Sequence, residues 1–407
     1  MTSPSLPTVE NSQRVYLHIG APKTGTSYLQ HVMARKRSQL LELGLLYPKS
    51  DNEGHFLAAH DLRGLDYYGI SGSKIAGTWG RLVAEVCAWD GPSVISHEMF
   101  SLADADTVRR AMRDLDGLEV HIVMTARDLA RQIPAHWQED IKNRGLLTYA
   151  DYLHSLKRID DTVNPFFANI FWEYQNLPDV LRRWTADISP ERVHIVTAPP
   201  RDAAGKDTLW MRFARTVGID PEQCPADVTP RNPSMGLVET NLLRRLNAKI
   251  IDEMNGPSYH NMIKHYLAVN VLAARSGSVP LRLPAEEHGW VTEQAKEIVH
   301  ELREAKYHVV GDLEELIPVW EGDDTAPRHP DSATDAELLD ASIDALVGIL
   351  HRLDNLRNKL HVMQKRNGLS PTKLAAQRAA RRYPKLAVTA RAATAFSRRM
   401  RNRRDTR

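Results

Sequence analysis

Val15-Tyr16-Leu17-His18-Ile19-Gly20-Ala21-Pro22-Lys23-Thr24-Gly25-Thr26-Ser27 is the stretch that decides the fold. Residues 15–19 are a short apolar run, as expected of a strand buried on both faces of a parallel sheet. Gly20 to Ser27 form a glycine-containing loop. Behind it Leu29, Val32, Met33, Leu40 and Leu41 share one helical face, Gly44 stops the helix and Pro48 lies just beyond. Strand, glycine loop and helix make a prepared anion site, because backbone N–H groups and the helix N-terminus both favour phosphate.

The same alternation continues outward. Ser93–Ser96, residues 120–124 and residues 193–196 read as further strands. Helical spacing covers Ile75 to Val86, Asp104 to Leu115, a segment from near Arg127, and Leu209 to Val217. The fold class is therefore α/β: a P-loop-like parallel sheet flanked by helices, followed by a helical second half over about 236–306 and a basic helical tail. Residues 50–74 are polar, with His and Gly, and read as irregular. Val309-Val310-Gly311-Asp312-Leu313 reads as a short piece packing the helices back on the sheet.

A chain of 407 residues with 42% apolar and 26% charged side chains can bury a core, which excludes a disordered, collagenous or disulfide-scaffold class. No apolar run is long enough for a membrane span, and the first thirteen residues read as a flexible N-terminus without signal-peptide character. Cys87 and Cys224 form no CxxC, so a reducing, cytoplasmic location and no metal site are expected. The net charge of +2 hides an asymmetry: residues 355–407 carry 16 Lys or Arg against one acid, Asp405, so the body is acidic. The organisation read from this is a domain over 14–320, a linker over 321–336, an amphipathic helix or short coiled coil over 337–367, and a basic tail over 368–407. Leu338, Ile343, Leu346, Leu350, Leu353, Leu356 and Leu360 supply the apolar spacing of the helix, a candidate surface for a homo-oligomer. The tail reads as a contact for an anionic membrane surface at the inner face, or as a solvated, poorly ordered extension; nucleic acid is the less favoured partner.

Gly20-x4-Gly25-Thr26-Ser27 nearly spells the nucleotide-triphosphatase loop, but that loop needs Lys directly after its second glycine, where Thr26 stands. Pro22-Lys23-Thr24-Gly25-Thr26-Ser27 instead resembles the 5′-phosphosulfate loop of the sulfotransferases that use 3′-phosphoadenosine-5′-phosphosulfate (PAPS), in particular bacterial, carbohydrate-type members. The resemblance implies that Lys23 reaches the oxygen bridging phosphate and sulfate, while Thr24, Gly25, Thr26 and Ser27 wrap the 5′-phosphate. It also implies an Arg after the third strand for the nucleotide's 3′-phosphate. Arg127 fits, and Arg131 fits a further basic position. The family's serine eight residues on is Ala135 here, a departure for which His136, Gln138, Lys142 or Arg144 could substitute; Trp137 matches an aromatic position. Arg231-Asn232-Pro233-Ser234 and Gly311-Asp312-Leu313 are weaker points of likeness; Asn232 and Ser234 either bind nucleotide or cap the following helix. The likeness runs from about Arg14 to Pro318.

Sulfuryl transfer asks for positioning, charge stabilisation and a base for the acceptor. Lys23 would stabilise the leaving phosphate, so magnesium is not implied. The base candidates are Glu98 and His97, after the second strand, where ligands of open α/β sheets sit. Glu98 is the first choice, with a pKa expected to rise beside a polyanion. Extended backbone at 96–98 would turn the two side chains to opposite faces. His55, His60, Trp137 and Gln138 are the candidates for lining the acceptor pocket; Trp172, Tyr174 and Trp184 either stack on a sugar or belong to the core. The expected activity is transfer from PAPS to a hydroxyl or amine of a carbohydrate, glycolipid or small-molecule acceptor. The alternatives are a P-loop kinase-like phosphotransferase, or a non-catalytic nucleotide-binding or scaffold protein.

Overall fold

The computed structural model describes residues 13–48, 54–67, 72–157, 165–200, 207–226, 234–320 and 328–366. Five parallel strands form one sheet: β1 (Arg14–Gly20), β2 (Ser93–Ser96), β3 (Glu119–Ala126), β4 (Val193–Thr197) and β5 (His308–Val310), in the order β2-β1-β3-β4-β5. Helices cover both faces, as a parallel sheet requires. One face packs Leu17, Ile19, Ile95, Ile122 and Ile195 against Trp79, Leu82, Val180, Trp184 and Val299. The other packs Tyr16, Val94, Val123 and Val196 against Leu29, Met33, Trp210 and Phe213.

The strand order places the site. After β1 the chain moves outward to β2, whereas after β3 it moves the other way, to β4. The loops leaving β1 and β3 therefore diverge, and a crevice opens between them at the carboxyl edge, where such sheets bind ligands. Lys23 follows β1 and Arg127 follows β3. The β1–β3 register slips between His18 and Gly20, at the point where the strand gives way to the loop.

Several expectations are corrected. Residues 54–62 are a helix, Gly54–Leu62, packed against the helix Thr78–Cys87; its Leu57, Ala58, Ala59 and Leu62 are buried, a short apolar face obscured by the interleaved His and Gly. Helical spacing from Ile75 to Val86 is interrupted at Gly77, whose φ of +76° ends one helix and starts the next. Residues 308–310 are not merely a packing piece but the fifth strand, paired in parallel with β4. At the turn that follows, Gly311 has φ +106°, and a Cβ there would lie 2.0 Å from Thr197 Oγ1, so glycine is required.

The chain divides into two compact units, Met1–Ser342 and Ile343–Arg407. Of the segment read as a linker, 321–327 lie outside the described residues, while the rest is fixed. Asp331 accepts the N–H groups of Tyr149 and Ala150 at 2.8 and 2.9 Å, and Asn241 donates to the Pro330 carbonyl at 2.6 Å. The helix Asp335–Arg366 follows. In the second unit Ile343, Leu346, Leu350, Leu353, Leu356 and Leu360 are exposed. The segment read as a flexible N-terminus, up to residue 12, and the basic tail at 368–407 lie outside the described residues. No helix among the described residues is long and apolar enough to cross a membrane.

Candidate active site

The loop is held from beneath by a polar network. The register sets His18 of β1 beside Ser96 of β2, and His18 Nδ1 meets Ser96 Oγ at 2.8 Å. His18 Nε2 lies 3.2 Å from Thr125 Oγ1, which donates to the Gly20 carbonyl at 2.9 Å. Thr24 Oγ1 donates to the Ala21 carbonyl at 2.6 Å and lies 2.5 Å from Thr125 Oγ1. Thr24 is thus buried with its hydroxyl committed inward, which leaves its backbone as the part that could face a phosphate. Burial takes the His18 pKa down to about 4, so the ring is neutral. Sequence reading missed His18, although a histidine within an otherwise apolar buried strand was a visible signal.

Lys23 has φ +64°, a left-handed conformation that costs a non-glycine residue about 1–3 kcal/mol and persists only when its surroundings enforce it. Two bonds to the loop do so: Gln175 donates to the Pro22 carbonyl at 3.0 Å and Arg127 to the Lys23 carbonyl at 3.1 Å. Gly25 has φ +106°, and a Cβ there would lie 2.3 Å from Leu209. The helix Thr26–Arg35 begins directly after it, with no side-chain cap and no acid in its first turn. Its N-terminal N–H groups therefore remain suited to an anion. Thr26 is buried and Ser27 is exposed at this first turn.

Lys23 itself points to Glu139, Nζ to Oε2 2.5 Å. Glu139 lies on the helix Leu129–Lys142, one turn beyond Ala135. It also takes Lys264 at 2.9 Å and has Lys142 at 3.7 Å. Burial pushes the Glu139 carboxyl up, but the ammonium groups of Lys23, Lys264 and Lys142 overcome this and hold it well below the usual carboxylate value. Burial, chiefly, takes the Lys142 pKa down. Of the four residues considered as substitutes at Ala135, only Lys142 joins this cluster. His136 pairs with Tyr152 and Asp140, Gln138 donates to the Met235 carbonyl, and Arg144 donates to the Met254 carbonyl. Glu139 and Lys264 were not singled out as site residues, since nothing in the sequence joins position 139 to position 264.

Glu98 and His97 come together. β2 ends at Ser96, and Glu98–Leu102 is a 3₁₀ turn capped by the His97 ring, whose Nδ1 accepts from Met99 N at 3.1 Å. The turn brings His97 Nδ1 within 4.0 Å of Glu98 Oε2, so the expected opposition of the two side chains does not occur. Gln30 donates to Glu98 Oε2 at 3.0 Å, joining this carboxylate to the helix that follows the phosphate loop. Burial pushes the Glu98 carboxyl up, but without a polyanion beside it the His97 ring, its own backbone and Gln30 hold it below its ordinary value. Burial takes the His97 pKa down.

The remaining candidates divide. Arg131 pairs with Asp128 and donates to the carbonyls of Pro199 and Ala198, so it ties β3's following helix to the end of β4. Ser234 donates to Gln138 at 3.3 Å and does not cap the following helix, whose N-cap is Gly236; Asn232 lies outside the described residues. Trp137 is fully buried against Tyr149 with its Nε1 on the Leu147 carbonyl, and beside it Asp140, Ile141, Gly145 and Tyr152 line the same small space, so it packs in the core. Gln138 is buried as well. His55 has both ring nitrogens engaged, donating to the Pro48 carbonyl and accepting from Ser96 N, which makes it a support for β2. His60 is buried among Phe56 and Tyr67 with neither ring nitrogen hydrogen-bonded. Trp172 lines a groove of about 530 Å³ with Trp290, Arg183 and Glu297. Trp184 is core; Tyr174 donates to Met99 Sδ.

No family model matches the sequence, and no curated protein matches it. Among solved structures, a sulfotransferase from Alicyclobacillus acidocaldarius is similar at 14% identity, over 72% of this chain and 95% of that one, with a TM-score of 0.38. A likeness at that level bears on neither activity nor substrate.

Proposed function

We propose that the protein transfers a sulfuryl group from PAPS to a hydroxyl or amine of a carbohydrate, glycolipid or small-molecule acceptor. The observation that carries this reading is Gln30: one turn into the helix that starts at the anion loop, it holds the carboxylate of Glu98. The anion loop with its lysine and a potential base on a different element are thus joined by one hydrogen bond. Arg127, whose guanidinium braces the Lys23 carbonyl, stands in the same crevice and would take the nucleotide's 3′-phosphate. The phosphotransferase reading is less well supported, because the position after Gly25 is the buried Thr26.

In the proposed reaction the acceptor oxygen or nitrogen attacks sulfur while the bond between sulfur and the phosphate oxygen breaks. The electron pair of that bond stays on the phosphate, whose charge Lys23 neutralises after leaving Glu139. The acceptor's proton passes to Glu98. His97 is the weaker base candidate: its Nδ1 accepts the Met99 N–H, so the neutral ring carries its proton on Nε2 and has no open lone pair. The products are the sulfated acceptor and 3′-phosphoadenosine-5′-phosphate (PAP).

Calorimetry with PAP and with ATP tests the donor, and incubating cell extract with labelled PAPS tests the transfer. PAP should bind more tightly than ATP, and labelling should vanish in Lys23→Gln. Tighter ATP binding would overturn the donor assignment, and PAP binding without transfer to any acceptor would favour a nucleotide-binding scaffold. Cytoplasmic location, contact of the basic tail with an anionic inner membrane surface, and self-association through the helix of the second unit complete the proposal.

A further inference from the structure

Resting on the reading above, the geometry points to an acidic acceptor: we infer that Lys142 and Lys264 form a subsite beside Lys23 that takes a carboxylate or sulfate carried by the acceptor. Three ammonium groups converge on the single carboxylate of Glu139, at 2.5 Å for Lys23, 2.9 Å for Lys264 and 3.7 Å for Lys142. Lys264 is further placed by Asn143 Oδ1 at 2.7 Å. All four side chains are partly buried, and a half-buried excess of positive charge is costly unless an anion completes it.

The donor's own phosphates have other partners available: the loop N–H groups, the uncapped helix N-terminus, Lys23 and Arg127. The position of Lys264 also speaks for the acceptor. It belongs to the π-helical segment His260–Val271, and His260, about one turn earlier, lies 3.4 Å from Tyr67 Oη. Tyr67 packs on Phe56 and His60, and Phe56 packs on His97 beside Glu98. One wall thus runs from the base candidates through an aromatic patch to Lys264. An acceptor lying along it would place a ring on Phe56 or Tyr67, its nucleophile at Glu98 and its acidic group between Lys264 and Lys142.

The test uses two ligands that differ in one charge, 4-nitrophenyl β-D-glucuronide and 4-nitrophenyl β-D-glucoside, titrated calorimetrically into the full chain saturated with PAP. The glucuronide should bind about tenfold or more tightly than the glucoside, and the preference should shrink with added salt. Lys264→Gln and the double variant with Lys142→Gln should abolish the preference with PAP affinity unchanged, while Lys264→Arg should retain it. Equal binding of both ligands to the wild type, or a preference that survives the double variant, would overturn the subsite. A fall in PAP affinity with the preference intact would assign the lysines to the donor instead. If PAP does not bind at all, the donor reading fails by itself, and the same pair of ligands titrated without PAP still decides the subsite.

Discussion

Glu139→Gln removes one charge and preserves shape, and its two effects should have opposite signs. In the wild type this carboxylate binds Lys23 and Lys264 directly, with Lys142 nearby. Its lowered pKa keeps it ionised at neutral pH. A hydrogen bond to a charged group contributes about 1.5–3 kcal/mol, and solvent screening of these partly exposed partners brings the sum toward the lower end. The variant should therefore unfold in urea with a stability lower by about 1–3 kcal/mol at pH 7. The sign with pH follows from a depressed carboxylate pKa: this stability is present above the unfolded value and is lost as pH falls through the folded one. Wild type and variant should accordingly converge in strong acid. Ligand binding should move the other way. The donor must draw Lys23 away from Glu139, and relief of a competing contact worth about 1.4 kcal/mol is a tenfold gain in affinity. Calorimetry at low ionic strength should show PAP binding roughly tenfold more tightly to Glu139→Gln, with the gain reduced by salt. Weaker PAP binding to a folded variant would refute the reasoning and make Glu139 a group that aims Lys23 at the donor.

Glu98→Gln should lower turnover by about 10²–10⁴-fold at saturating donor with PAP affinity preserved, and His97→Asn should cost less; the reverse order in the same assay would transfer the base role to the histidine. Arg127→Ala should erase the preference for PAP over AMP measured by calorimetry, and it should loosen the loop, because its guanidinium also braces the Lys23 carbonyl. Burial lowers the pKa of His18, His55, His60 and His194 to about 4. Above about pH 6.5 all four are neutral folded or unfolded, and as pH falls toward 4 the unfolded chain gains protons that the fold refuses, at about 1.4 kcal/mol per pKa unit for each histidine. Acid titration followed by circular dichroism should therefore show steep destabilisation in that window, and a flat stability profile across it would show that these rings are solvated. Leu350→Asp with Leu353→Asp should leave PAP binding unchanged and shift any oligomer seen by light scattering to monomer.

The sequence determined the α/β class, four of the five strands and the anion loop, because each rests on local chemistry. A short apolar run between turn signals reads as a buried strand, and a glycine-containing loop before a helical pattern reads as an anion loop. The resemblance to the sulfotransferase loop brought Lys23 and Arg127 forward, and the end of the second strand, together with the same resemblance, brought Glu98 and His97. What the sequence could not settle is where side chains meet across distant segments. Residues 308–310 are too short to read as a strand until β4 supplies the partner hydrogen bonds. Trp184 reads as a sugar platform or as core, and only its burial among Phe100, Val180 and Leu181 decides. The resting partner of Lys23 depends on a helix 116 residues further along the chain, and the third lysine on a segment that nothing in the local pattern connects to either. The crevice between β1 and β3 arises from the strand order, a property of chain crossings set by the burial of both sheet faces together and by no single stretch of residues.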